Sequence, residues 1–408
     1  MKRPVLSCLV LGVAATAATC QWSTPIQIAS VNTSLGEYDP SPTMDGLTLY
    51  FASTQVSANS YDIYRATRAT RFSAFGPPSN VTELSSTSIE GGPCVRIDDC
   101  EIFFYANRSG GSGGYDLWRA TRTTTAQPFG TPAPVVELNT SSSDLSPSLT
   151  ADGLRIYFYS DRAGGSGGYD IWTAVRASWA TPFSAPVPVA ELDTASADRD
   201  PHVSADGLVM FFASDRPGGV GSNDIWVATR TDTTLPFGNI TSLAALSSTV
   251  FDHAPSFALF PDEVFFTSTR PGGPGSYDLY TARFTGLVAN GNAGVASTQT
   301  LRFSDPGAPG LLYIAAAALG TTPGIPFGSR VLPLNADALL SVTVGGLPPL
   351  LNGYSGVLDQ DGVAGGSITF AGFPALRGFR FFTAFLVLDA LAPMGIRTLS
   401  NALETVVQ

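Results

Sequence analysis

Lysine is almost missing from this chain: Lys2 is the only one, so arginine carries nearly all of the positive charge. Charged residues make up only 13%, and 22 Lys and Arg face 33 Asp and Glu, for a formal net charge of −11. Such a chain offers no basic face to a phosphate backbone, which argues against nucleic acid as a partner. Histidine is nearly as scarce. Only His202 and His253 are available as imidazole bases, and no Gly-x-Ser-x-Gly elbow frames a serine, so no motif for nucleophilic catalysis is assembled. Nor does any apolar run reach the roughly 20 residues of a membrane helix; the stretch from Phe381 to Leu388 is soon ended by Asp389 and Pro393.

What is abundant is glycine and proline, 42 and 30 residues, alongside 44% hydrophobic residues, the profile of a loop-rich all-β protein. Residues 1–20 read as an export signal, with Lys2 and Arg3 ahead of an apolar stretch from Val5 to Ala18 and small residues at Ala15-Thr16-Ala17. The expected destination is the periplasm, the cell surface or the medium, with lipidation at Cys20 as the less favoured variant, since Thr19 precedes it. Cys94 and Cys100 flank a turn-like Ile97-Asp98-Asp99. In an oxidising compartment they are expected to staple a hairpin as a disulfide, the alternative being two free buried thiols.

The dominant feature is a repeat. Tyr61-Asp62, Tyr115-Asp116, Tyr169-Asp170, Asn223-Asp224 and Tyr277-Asp278 recur every 54 residues, each followed by Ile or Leu and then an aromatic residue. The same period governs Arg108, Arg162, Arg216 and Arg270 before glycine-rich loops, and Phe75, Phe129, Phe183 and Phe237 further on. Pro40, Pro93, Pro147, Pro201 and Pro255 open the units, three residues after Glu37, Glu90, Asp144, Asp198 and Asp252. Asp45-Gly46, Asp152-Gly153 and Asp206-Gly207 then turn the chain into aromatic strands such as Arg155-Ile156-Tyr157-Phe158-Tyr159. Each unit holds four short strands, which is the grammar of a propeller blade. Five units predict five blades. The fifth lacks its own last strand, and Trp22-Ser23-Thr24-Pro25, similar to Phe129-Gly130-Thr131-Pro132, is expected to supply it and close the ring.

These motifs, above all Ser160-Asp161-Arg162-Ala163-Gly164-Gly165 and Tyr169-Asp170-Ile171-Trp172, resemble the WD40-like repeats of TolB-type periplasmic propellers over residues 22 to 284. The resemblance implies a β-propeller used as a binding module or scaffold in the envelope; it departs in blade count, since the TolB-type propeller has six. The expected organisation is a signal peptide at 1–20, a propeller at 21–284, a linker at 285–295 and a β-sandwich-like module at 296–408. The last resembles C-terminal modules of secreted bacterial proteins, which implies attachment or sorting.

Three expectations concern chemistry. Glu37, Glu90, Asp144, Asp198 and Asp252 occupy one column and are expected to ring the axis, where converging carboxylates would hold a cation such as calcium or a basic peptide. The plainer reading, favoured here, has each accept backbone hydrogen bonds in its own blade. No other cofactor is expected. Arg108, Arg162, Arg216 and Arg270 are expected to pair across their hairpins with Asp116, Asp170, Asp224 and Asp278. The overall expectation is an exported protein, not an enzyme, that meets a protein or glycan of the envelope or extracellular space. The alternatives are a carbohydrate-active enzyme of the five-bladed glycosidase kind and a multivalent lectin.

Overall fold

A computed structural model describes residues 21–57, 60–71, 73–258 and 263–290, followed by the strand segments 298–304, 312–318, 325–327, 330–332, 351–352, 355–357, 363–369, 380–388, 396–399 and 403–406. The expected signal, with Cys8 and Cys20, lies outside the described residues. Among those described there are strands and turns but no helix, hence no helix long and apolar enough to cross a membrane.

The chain divides into two units, 24–282 and the remainder. The first is a five-bladed propeller of four-stranded antiparallel blades. Blade three shows the pattern: Asp144–Leu149, Arg155–Ser160, Asp170–Val175 and Val187–Pro188 pair in sequence order, from the axis outward. The innermost strands Glu37–Pro42, Glu90–Val95, Asp144–Leu149, Asp198–Val203 and Asp252–Phe257 each adjoin the next, and the fifth adjoins the first, so the wheel is closed. In blade five the outer strand is Ile26–Gln27, which pairs antiparallel with Thr281 and Tyr280. The N-terminal segment thereby joins the two ends of the ring, as the sequence leads one to expect.

Both faces of every blade are covered by neighbours, which explains why the second strands are aromatic without interruption. Side chains alternate between the two faces of a strand, yet Phe103, Phe104, Phe211, Phe212, Phe265 and Phe266 are all fully buried. Fully burying a side chain of this size is worth roughly 1.5–3 kcal/mol. The Asp-Gly turns need a residue with positive φ, met by Gly46, Gly153 and Gly207. In blade two Asp99, at φ 53°, stands in the glycine's place.

That substitution bears on the cysteines. Both are free: the expected disulfide between Cys94 and Cys100 is not formed. Cys94 lies opposite Phe103, not Cys100, and packs in the core between blades two and three with Leu145 and Leu149. Cys100 stays in the turn, three strand positions away on the facing side, about 10 Å along the ladder and beyond the roughly 7 Å reach of a disulfide. Burial pushes the Cys94 thiol up to about 12.

Among the described residues the second unit carries three antiparallel sheets, one of them only the pair Ile325–Phe327 and Arg330–Leu332. Of the other two, one orders Asp278–Asn290, Thr298–Ser304, Val363–Thr369 and Leu351–Asn352; the second orders Ser355–Val357, Leu312–Ala318, Arg380–Leu388 and Ile396–Leu399, with Leu403–Val406 also on Arg380–Leu388. The stretch expected to be a linker is strand as far as Asn290, and residues 291–297 lie outside the described residues.

Candidate functional site

The column expected to ring the axis is instead absorbed into the blades. Glu37, Glu90, Asp144, Asp198 and Asp252 are all inaccessible to solvent. Asp198 shows why: Oδ2 accepts the backbone N–H and hydroxyl of Thr194, and Oδ1 accepts the Ser214 hydroxyl at 2.6 Å and Nη2 of Arg216 at 2.6 Å. The other acids are tied down in the same fashion. Each arginine of the expected hairpin pairs therefore has a different partner: Arg108 binds Glu90 at 2.9 Å, Arg162 binds Asp144 at 2.5 Å, and Arg270 binds Asp252 at 2.7 Å. The innermost acid faces the residue two before the arginine, Ser160 for Asp144 and Ala106 for Glu90, so the guanidinium reaches back across the sheet. Asp116, Asp170, Asp224 and Asp278 turn away into their own glycine loops, where they accept the N–H of Gly113, Gly167, Gly221 and Gly275. Each guanidinium also stacks on rings of its blade, Arg216 at 4.7 Å from Phe212 and 5.4 Å from Trp226.

The residues that do reach the axis lie two positions further along each inner strand: Asp39, Gly92, Ser146, Asp200 and Ala254. All five have left-handed backbone, with φ from 45° to 56°, and each sits where the pairing with the second strand shifts register. The bulge turns this one residue out of the ladder toward the centre. With the prolines that follow, these residues line an axial cavity of about 30 Å³ that also exposes Ser41, His202 and Ser256. That is enough room to hold a water molecule or a small ion.

Two carboxylates meet here. Asp39 and Asp200 come from blades one and four, and with His253 of blade five they bring ligand atoms within 4.8 Å of one another. Among the described residues no other group of His, Cys, Asp and Glu side chains converges this closely. Asp39 Oδ2 accepts the Tyr105 hydroxyl at 2.9 Å and the Gly92 N–H at 3.0 Å. Asp200 accepts the Ser146 hydroxyl at 2.9 Å, the Ala254 N–H at 3.2 Å and Nδ1 of His253 at 3.3 Å. Neighbouring blades are thus stitched together through the site. The shared environment drives the two acids apart. Burial, then the charge of Asp200, raise Asp39 from 3.8 to about 6 against opposing pulls from His253, Tyr105 and Gly92. Burial pushes Asp200 up too, but hydrogen bonds from His253 and Ser146 and the nearby Arg199 outweigh it and leave it below its ordinary value. His202 is half-buried, with Nε2 3.0 Å from the Phe257 carbonyl, and desolvation drops it to about 4, which keeps it neutral. Ser256, 3% exposed, lines the cavity with a hydroxyl that has no hydrogen-bond partner.

Above the acids stands an aromatic collar. Tyr38 packs between Tyr61 at 4.6 Å and Tyr277 at 4.8 Å, Tyr277 meets the His253 ring at 6.0 Å, and Tyr115 and Tyr169 pack edge-on against Tyr105 and Tyr159. Arg199 covers the Tyr169 ring at 5.1 Å. The Tyr-Asp column of the repeat, read from sequence as a blade signature, therefore also furnishes this collar.

No protein-family model matches the chain, and no curated protein matches it. Solved structures do. TolB from Acinetobacter baumannii matches at 16% identity over 61% of this chain and 54% of that one, with a TM-score of 0.39, so the match spans about half of that protein's length. An α-L-arabinofuranosidase from Podospora anserina, in complex with cellotriose, matches at 11% identity over 66% and 98%, with a TM-score of 0.43. The catalytic domain of a GH62 α-L-arabinofuranosidase from Coprinopsis cinerea matches at 12% identity over 67% and 98%, with a TM-score of 0.44. TolB is among them, in line with the resemblance of the repeats. The expectation that the chain is not an enzyme is overturned by the same finding, because hydrolases stand beside TolB among the matches.

Proposed function

We propose that this is an exported binding propeller whose axial cavity holds one divalent cation between Asp39 and Asp200, and whose tyrosine collar meets a protein or glycan of the envelope or extracellular space. The observation that carries the reading is the pair of buried carboxylates facing one another with a single imidazole beside them. Two like charges out of water repel strongly, and a cation between them would relieve both the repulsion and the desolvation. Carboxylate and hydroxyl oxygens are ligands for a hard cation such as calcium, and His253 adds a nitrogen. The cavity is of ionic size. Above it, Tyr61, Tyr115, Tyr169 and Tyr277 offer flat, half-buried rings of the sort that anchor partner surfaces.

The test is calorimetric titration of the metal-free protein with calcium and with magnesium. One site per chain, lost in Asp39→Asn, is the expected result; absence of binding, or binding that the variant retains, would overturn the reading.

A carbohydrate-active reading is favoured by one observation, the separation of the two acids, with Asp39 raised and Asp200 lowered as an acid and its partner would be. What opposes it is that both acids are already engaged with neighbouring blades, Asp39 by the Tyr105 hydroxyl and Gly92 N–H, and Asp200 by Ser146, Ala254 and His253. Release of nitrophenol from aryl arabinofuranosides, abolished by Asp200→Asn, would decide in its favour.

A further inference from the structure

At the opposite end of the ring, where the Asp-Gly turns lie, a second set of arginines holds the blades together. Arg68, Arg122, Arg176 and Arg230 follow the third strands at the 54-residue period. Each donates Nε to the carbonyl of its own turn and stacks its guanidinium on a ring, as Arg176 does on Gly153 and Phe183. The free end of the guanidinium then crosses to the preceding blade. Arg176 meets Glu101 there at 2.7 Å, and Arg68 meets Glu263 at 2.7 Å across the closing seam. Both acids are the first residues of their second strands. Arg122 finds no acid at that position of blade one and uses Asp99 at 2.7 Å instead.

The seam between blades three and four breaks this rule. The residue of blade three that corresponds to Glu101 and Glu263 is Arg155, the first of its strand. Arg230 therefore has an arginine where its counterparts have a carboxylate, and the glycine at position 207 leaves no equivalent of Asp99. Arg230 donates to the Tyr157 hydroxyl at 3.0 Å, and both guanidiniums act electrostatically on that hydroxyl. Among the described residues, no carboxylate forms an ion pair with either arginine. The space that the missing acid would face is a cavity of about 220 Å³, with Thr150 and Thr233 on its walls. Asp152 and Asp206 also border it, but one oxygen of each caps its own turn through the N–H of Leu154 and Leu208.

We propose that this cavity is an anion site in which Arg155 and Arg230, the latter steadied from behind by the buried Tyr157 hydroxyl, receive the carboxylate of a sugar-sized acid, a uronic acid or its residue in an acidic glycan. A bound carboxylate stands where Glu101 and Glu263 stand at the other seams, and guanidiniums recognise that planar group through paired N–H donors. The Thr233 hydroxyl is offered to sugar hydroxyls beyond the carboxylate, whereas that of Thr150 is already held by Asp152 and the Arg155 N–H.

The experiment titrates the full chain with glucuronate, glucose, inorganic phosphate and sulfate, following heat and melting temperature. Glucuronate should bind and raise the melting temperature, with glucose silent and the inorganic ions at least tenfold weaker. Arg155→Glu restores the ion pair of the other seams, so it should melt higher than the wild type and lose glucuronate binding by at least tenfold. Arg155→Leu removes the charge without restoring the pair and should lose binding by a similar factor. The proposal is overturned if glucuronate binds no better than glucose, if phosphate equals it, or if both variants bind it as the wild type does.

Discussion

Replacing Asp39 with asparagine should stabilise the propeller, and by an amount that depends on pH. The side chain keeps its shape, and its oxygen can still accept from Gly92 N–H and the Tyr105 hydroxyl. What disappears is the cost of holding a carboxylate, out of water, beside Asp200. Because Asp39 rises from 3.8 to about 6 on folding, the folded protein binds its proton more tightly than the unfolded chain. The contribution of this group is therefore fully present below pH 3.8 and is lost as pH climbs through 6. A shift of roughly two units at 1.36 kcal/mol each makes the loss about 3 kcal/mol by pH 7.5. Urea unfolding in the presence of a chelator, followed by tryptophan fluorescence from the blades, should show variant and wild type close together at pH 3.5. At pH 7.5 the variant should lead by about 3 kcal/mol. His202 titrates in the opposite sense: held near 4 on folding, it contributes stability above its ordinary 6.5 that is lost as pH falls toward 4. It is present in both proteins and drops out of the difference. A stability gap that stays constant from pH 3.5 to 7.5 would refute the reasoning.

Two further outcomes follow from the packing. Cys100, half-exposed in its turn, should react with a maleimide in the native protein, whereas Cys94 should react only after unfolding, and the intact mass should not change on reduction. Gly165→Ala should destabilise by several kcal/mol, since a Cβ there would stand 1.9 Å from Oδ2 of Asp170. Gly168→Ala, with nothing within 4 Å of the added carbon, is the matched control, and equal melting temperatures for the two would count against the described loop.

The repeat made the ring legible because the period, the turn glycines and the uninterrupted aromatic strands are all consequences of stacking identical sheets with both faces buried. Even the borrowed strand of blade five could be read, from the likeness of Trp22-Ser23-Thr24-Pro25 to an internal segment. The hydrogen-bond partners could not. Whether Arg162 turns to Asp144 or to Asp170 depends on which strand faces it, a matter of register that the spacing along the chain leaves open. The cysteines failed for a related reason, since closeness in sequence says little about which residues stand opposite across a ladder.

The axial acids are not legible in the columns that are constant. In a ring of near-identical blades, a residue kept in every unit answers a need that every unit shares, as the buried acid of the Asp198 column does in all five blades. A ligand at the centre has no fivefold symmetry to offer in return, so its contacts must come from positions where the blades differ. The residue before the conserved proline reads Asp, Gly, Ser, Asp, Ala around the wheel, and only its two carboxylates meet. The first residue of the second strand reads Thr, Glu, Arg, Val, Glu, and the single arginine makes the seam between blades three and four the one where the repeat's arginine meets no acid among the described residues. Both sites are thus departures from the repeat at places the repeat itself positions: a bulge aims the first at the axis, and an arginine already anchored to its turn and its ring waits at the second.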